Sequence, residues 1–141
     1  MKKFISFRTA ANICIFGFSL FILFHTAVIL GILVFDFAPV EHLWGGQMET
    51  AEQLLTFEIV SLAIQALCLL LVLIKTERIK LPRLALAADI GMWLLFGLYT
   101  LNTLGNITAK SAFEKTMTVA TVLFAVSTLR LALEKREKKT A

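Results

Sequence analysis

Four apolar runs, separated by short polar segments, organise this chain from end to end. They occupy roughly residues 10–35, 51–76, 83–105 and 111–133. Each meets or approaches the ~20 residues a helix needs to cross a ~30 Å hydrocarbon layer. Inside lipid, backbone N–H and C=O groups must bond within their own segment, and no run alternates with the period of two that a barrel strand requires. The pattern therefore predicts an all-α fold. It is a four-transmembrane-helix bundle running up-down-up-down, one integral membrane domain over residues 1–141 with a basic tail at 134–141.

The longest polar interruption leads into the second helix and reads DFAPVEHLWGGQMETAEQLLTFE over residues 36–58. Pro39 lacks a backbone donor and biases its predecessor toward extended geometry, so it is expected to stop the first helix. Trp44-Gly45-Gly46 reads as a turn whose tryptophan suits an anchor at headgroup level. Thr50-Ala51-Glu52-Gln53 has the spacing of a capping box, which starts the second helix near Ala51, and Ser111-Ala112-Phe113-Glu114 repeats that spacing at the start of the fourth. The Phe57-Glu58 and Phe113-Glu114 pairs hint at two helical hairpins related as a parallel repeat. Pro82 falls in the first turn of the third helix, where proline is tolerated.

Composition agrees with lipid as the solvent. Charged residues make up 17% and hydrophobic residues 58%, whereas about a quarter of a soluble domain is charged; mean hydropathy is +0.82. A net charge of +4 and a pI near 9.3 would suit nucleic acid, but the basic residues flank the apolar runs. Twelve of the fourteen lie in the N-terminal segment, the 75–83 loop and the stretch from Arg130 onward; only Lys110 and Lys115 lie in the other connections. That asymmetry predicts cytoplasmic termini, outward-facing segments at 36–53 and 106–110, and the bilayer of a cell inner membrane as partner, with no nucleic acid. The tail's charges suit an anionic inner leaflet. The opening residues resemble the charged region of a signal peptide, but the apolar run continues to about Phe35, past the ~7–15 residues of such a signal. With no small-x-small site after it, the segment reads as an uncleaved first transmembrane helix. Cys14 and Cys68 lie inside apolar runs with no CxxC or Cys/His cluster, so neither a disulfide framework nor a zinc site is expected.

Polar residues inside the runs mark the faces turned inward. On the second helix Leu54, Glu58, Ser61, Gln65, Cys68 and Val72 follow alternating steps of four and three, one stripe of a helix. Thr118, Thr121, Ala125 and Thr128 form a small-residue stripe on the fourth, suited to close packing. Asn102 and Asn106 lie one turn apart near the outer end of the third, and His25 lies outward of the midpoint of the first. Glu58 is either a carboxylate held by Asn102, Asn106 or Lys115 that locks the bundle, or a proton- or cation-binding acid. Gln65 reads as one partner of an interhelical hydrogen bond. His25 reads as an interior residue with one satisfied nitrogen; with His42 in a loop, a bis-histidine haem within the bundle is disfavoured, and no cofactor or metal is expected. Asp89 and Arg130, each about a turn from the cytoplasmic boundary, are expected to form a structural ion pair or to snorkel separately. Asn106-Ile107-Thr108 matches a glycosylation sequon but lies too near the membrane for an acceptor. The sequence holds no nucleophile triad, phosphate loop or metal motif, which leans away from an enzyme.

Several of these elements together resemble a known family. His25, the Trp44-Gly45-Gly46-Gln47 turn, Phe57-Glu58, Asn102-Thr103-Leu104-Gly105-Asn106 and Phe113-Glu114-Lys115 resemble a bacterial family of small four-helix integral membrane proteins whose activity is not established. The resemblance covers about His25 to Leu133, and its most specific elements are the Trp-Gly-Gly turn and the Asn-Thr-Leu-Gly-Asn run. It implies a bacterial inner membrane and four helices, and carries no substrate or catalytic residue.

All these residues fall in one layer, the outer half of the bundle. Asp36, Glu41 and His42 are expected at its rim, Trp44 and Gln47 in the turn, Glu58 and Gln65 below, and Asn102, Asn106, Glu114 and Lys115 from the second hairpin. Three functions are compatible with such a layer. The first is a non-enzymatic membrane module, self-associating as a homo-oligomer or serving a larger membrane complex. The second is a small oligomeric proton- or cation-coupled transporter using Glu58. The third is an intramembrane enzyme using Glu41, His42 or Glu58. Small size and the lack of a wide polar path favour the first, whereas a water-accessible cleft reaching Glu58 and Gln65 would speak for the second.

Overall fold

A computed structural model of the protein describes residues 5–109 and 111–134. Lys2, Lys3, Lys110 and the tail at 135–141 lie outside the described residues. The elements are α1 (Phe7–Phe35), α2 (Ala51–Lys75), α3 (Ala85–Thr108) and α4 (Ala112–Ala132), with 3-10 turns at Trp44–Gly46 and Pro82–Leu84. No strand occurs among the described residues. All four helices, α3 together with the 3-10 turn that leads into it, are long and apolar enough to cross a membrane. The fold fits a small membrane protein.

Local chemistry explains most of the boundaries. Ser6 caps α1 by accepting from the Thr9 N–H at 3.0 Å, which starts the helix three residues before the apolar run. Its end is set by Asp36, not by Pro39. Asp36 turns left-handed at φ 49°, and the N–H groups of Asp36 and Phe37 both return to the Gly31 carbonyl. This is the turn that closes many helices, and Pro39 comes three residues after the helix has stopped. Thr50 caps α2 by accepting from Gln53 N–H at 3.2 Å, while Gln53 Oε1 accepts from Glu49 N–H at 2.9 Å. The reciprocal half of the capping box is thus shifted by one residue. Ser111 makes no side-chain cap for α4. Its hydroxyl donates to the His42 carbonyl at 3.4 Å, so the loop before α2 takes the group the cap would have used.

α1 packs against α2 and α4, and α3 against α4 and α2; of these neighbours α2 and α3 touch least. One half of the bundle holds the dry core, with Ala10, Cys14, Phe18, Cys68, Val72, Met92, Leu95, Phe124 and Leu131 buried together. The stripe anticipated on α2 is the buried one: Leu54, Glu58, Cys68 and Val72 are closed off, as are Thr121, Ala125 and Thr128 on α4. Outside, side chains such as Phe16, Leu23, Val34, Leu94, Leu101 and Val119 are exposed. An apolar belt this continuous exceeds what a soluble monomer presents to water.

The end of the bundle beyond that core is tied by ion pairs, but not by the anticipated one. Asp89 pairs with Lys75, Nζ to Oδ1 at 2.8 Å, and Arg130 pairs with Glu134 at 2.7 Å. The last residue of α2 is carried beside the second turn of α3, so Lys75 reaches Asp89 first, while Arg130 finds Glu134 one turn along its own chain. Lys75 Nζ also donates to the Glu134 carbonyl at 2.7 Å, and Arg130 Nε donates to the Ile5 carbonyl at 3.1 Å. Lys75→Ala is therefore expected to destabilise the protein by about 1–3 kcal/mol through the acceptors it abandons. Asp89→Asn should cost less, because the Asp89 side chain is 37% exposed and Lys75 keeps its carbonyl. Thermal unfolding in detergent compares the two; an unchanged midpoint in Lys75→Ala would remove this end from the stabilising contacts.

Candidate functional site

The other half of the bundle is built around one buried acid. Glu58 lies two turns into α2 and is 1% exposed. Its Oε2 lies 2.6 Å from Nδ1 of His25 on α1, and its Oε1 accepts from the indole Nε1 of Trp44 at 3.0 Å. An indole N–H can only donate, so Oε1 is an acceptor, and the short contact to His25 is satisfied when Nδ1 carries its proton toward Oε2. Hydrogen bonds to a carboxylate are about twice as strong as neutral ones.

Trp44 reaches this position through a distorted turn. It sits at φ 55° and Gly46 at φ 66°, and a Cβ on Gly46 would come 3.2 Å from the Glu41 carbonyl oxygen. A bulky residue in the left-handed region costs about 1–3 kcal/mol and persists only when its surroundings hold it. Here the bond to Glu58 and the Phe57 ring, 5.2 Å between centroids, hold it. The indole N–H is thus turned onto a buried acid while the residue stays 39% exposed.

Around this hub opens a cleft of about 390 Å³. From α1 come Phe21, Phe24 and His25; from the loop, Leu43 and Trp44. α2 supplies Glu58, Ser61, Ile64 and Gln65, α3 supplies Leu98, Tyr99, Asn102 and Asn106, and α4 supplies Phe113, Glu114, Met117 and Thr121. Its floor is aromatic. Tyr99 donates its hydroxyl to Gln65 Oε1 at 3.2 Å, and its ring packs on Phe18 and Phe124, 5.6 and 5.0 Å away by centroid. Beyond these rings lies the dry core, so the cleft ends blind.

No family model, curated protein or solved structure matches this chain. The site must be read from its own chemistry.

Of the residues singled out in the sequence, His25, Trp44, Glu58, Gln65, Asn102, Asn106 and Glu114 line the cleft together. Asp36, Glu41, His42, Gln47 and Lys115 do not; they are exposed and outside it. Glu58 is held by His25 and Trp44, not by Asn102, Asn106 or Lys115. Tyr99 was missed, although it is the chain's single tyrosine and lies three and seven residues before the two asparagines, on their helix face. Phe21, Phe24 and Met117 carried no signal, since spacing does not separate them from the exposed apolar residues around them, and Phe113 stood out only through its pairing with Glu114.

The geometry limits the chemistry. Glu58 holds His25 as an acid holds the histidine of a hydrolase triad, but no hydroxyl hydrogen-bonds to His25 Nε2 among the described residues. Nor do three His, Cys, Asp or Glu side chains converge as a metal site would need among the described residues. The arrangement can bind, and can hold a proton between two buried groups.

Proposed function

We propose that the chain is a small multi-pass protein of a bacterial inner membrane, both termini cytoplasmic and helices alternating in direction, that works as a non-enzymatic binding module. It would act as a homo-oligomer or as a subunit of a larger membrane complex. The twelve-to-two division of basic residues supports the sidedness. The observation that carries the module reading is the blind cleft: polar at Glu58, Gln65, Asn102 and Asn106, and stopped by Phe18, Tyr99 and Phe124 before the packed core.

A second reading, a proton- or cation-coupled carrier, is favoured by one feature of the same cleft. It reaches both Glu58 and Gln65, and Glu58 shares a proton-bearing contact with His25. A carrier would additionally have to open the half formed by Cys14, Phe18, Met92 and Leu131, which is closed. Purified protein in liposomes, loaded with a pH-sensitive dye and given a proton or potassium gradient, separates the two. The module reading expects the same leak as empty liposomes, in the parent and in Glu58→Gln. Flux through the parent that Glu58→Gln abolishes would replace it with the carrier.

A further inference from the structure

Resting on the binding-module reading, we propose that the cleft takes a cationic ligand: an ammonium-type group attached to an apolar body. Two carboxylates line it, Glu58 and Glu114, and no lysine or arginine does among the described residues. Five rings line it as well, those of Phe21, Phe24, Trp44, Tyr99 and Phe113. Aromatic faces attract cations through their quadrupole, more strongly where water is excluded, and cages of such rings are how proteins recognise quaternary ammonium groups. His25 adds to the same polarity. With Nδ1–H given to Glu58, its Nε2 is an acceptor and has no partner among the described residues.

Other ligand classes fit worse. An anion would meet two carboxylates and the faces of aromatic rings, with no lysine or arginine among the described lining residues. A purely apolar body would strip water from Asn102 and Asn106 without replacing it. About 390 Å³ lies within the ~300–1,000 Å³ range of small-molecule pockets, enough for a headgroup or a compact amine. The α2–α3 edge carries the exposed apolar side chains Ile64 and Leu98, so an apolar tail can lie along that edge while the charge sits among the rings, near the buried Glu58. The ammonium can thus belong to a membrane lipid or to a free amphiphilic amine.

The test uses the full chain with Trp93→Phe, leaving Trp44 as the one tryptophan, in nanodiscs of phosphatidylglycerol. Benzyltrimethylammonium and benzenesulfonate, similar in size and opposite in charge, are titrated against Trp44 fluorescence. The expected result is a saturable change with the cation and none with the anion. Glu58→Gln should weaken cation binding at least tenfold while Asp36→Asn, an exposed acid outside the cleft, leaves it unchanged. Repeating the titration with phosphatidylethanolamine in the disc distinguishes the sources: competition assigns the ammonium to the lipid, no competition to a free amine. Equal binding of the two ions, or undiminished cation binding in a folded Glu58→Gln protein, overturns the cation assignment but leaves a binding cleft. Absence of saturable binding by either ion overturns the proposal, whereas flux in the liposome assay overturns the module reading itself.

Discussion

Glu58→Ala is expected to destabilise the bundle by about 2–4 kcal/mol, because it orphans two donors at once and each buried donor without an acceptor costs ~1–3 kcal/mol. The donors are His25 Nδ1–H, 2.6 Å away, and Trp44 Nε1–H, 3.0 Å away. Single interhelical hydrogen bonds within lipid average only ~0.6 kcal/mol, so the loss of both partners at a site 1% exposed decides the size. Glu58→Gln should cost less, near 1 kcal/mol, since its carbonyl still accepts from Trp44 and its amide can donate to the other tautomer of His25. A double-mutant cycle of Glu58→Ala with His25→Ala should give a coupling of ~0.5–3 kcal/mol. Reversible unfolding in mixed micelles measures all four proteins. A Glu58→Ala loss within about 0.5 kcal/mol of the parent, the range of an unremarkable surface change, would mean the hub does not hold the bundle together.

The second large effect runs against helix propensity. Gly17→Ala should gain ~1 kcal/mol as a helical residue, yet we expect a net loss of about 1–3 kcal/mol from overpacking. A Cβ at position 17 would run into the Cε1 and Cζ edge of Phe124. That ring has no room to retreat, for it packs against Phe18, Phe21 and Tyr99 at centroid distances of 4.8, 5.7 and 5.0 Å. Gly97 is the control. Nothing lies within 4 Å of the Cβ it lacks, so Gly97→Ala should stabilise by ~0.5–1 kcal/mol. Opposite signs in the two unfolding midpoints support a tight α1–α4 contact; a stabilised Gly17→Ala protein would show that the floor of the cleft is loose.

The same contact shows where sequence reasoning stops. Gly17 and Phe124 both lie within apolar runs, but nothing in their spacing says that one lies under the other. Asp89 was assigned to Arg130 because both sit near one boundary, and Lys75 took it because the end of α2 arrives closer. His25 and Glu58 were each noticed, yet as separate puzzles.

What the sequence determined by itself are properties held within a single segment. Four spans, the inward stripe from Leu54 to Val72, the start of α2 at Thr50 and the gathering of polar residues toward one end of the chain's spans all follow from hydropathy and 3.6-residue spacing. What only the tertiary structure decided are pairings between segments. Glu58 meets His25 across 33 residues and Trp44 across 14, and a left-handed turn at Trp44 brings the indole N–H of a partly exposed ring onto that buried acid. Such meetings depend on how each helix is rotated about its own axis and on where a loop folds back. Spacing along one helix leaves both open; packing between helices settles them.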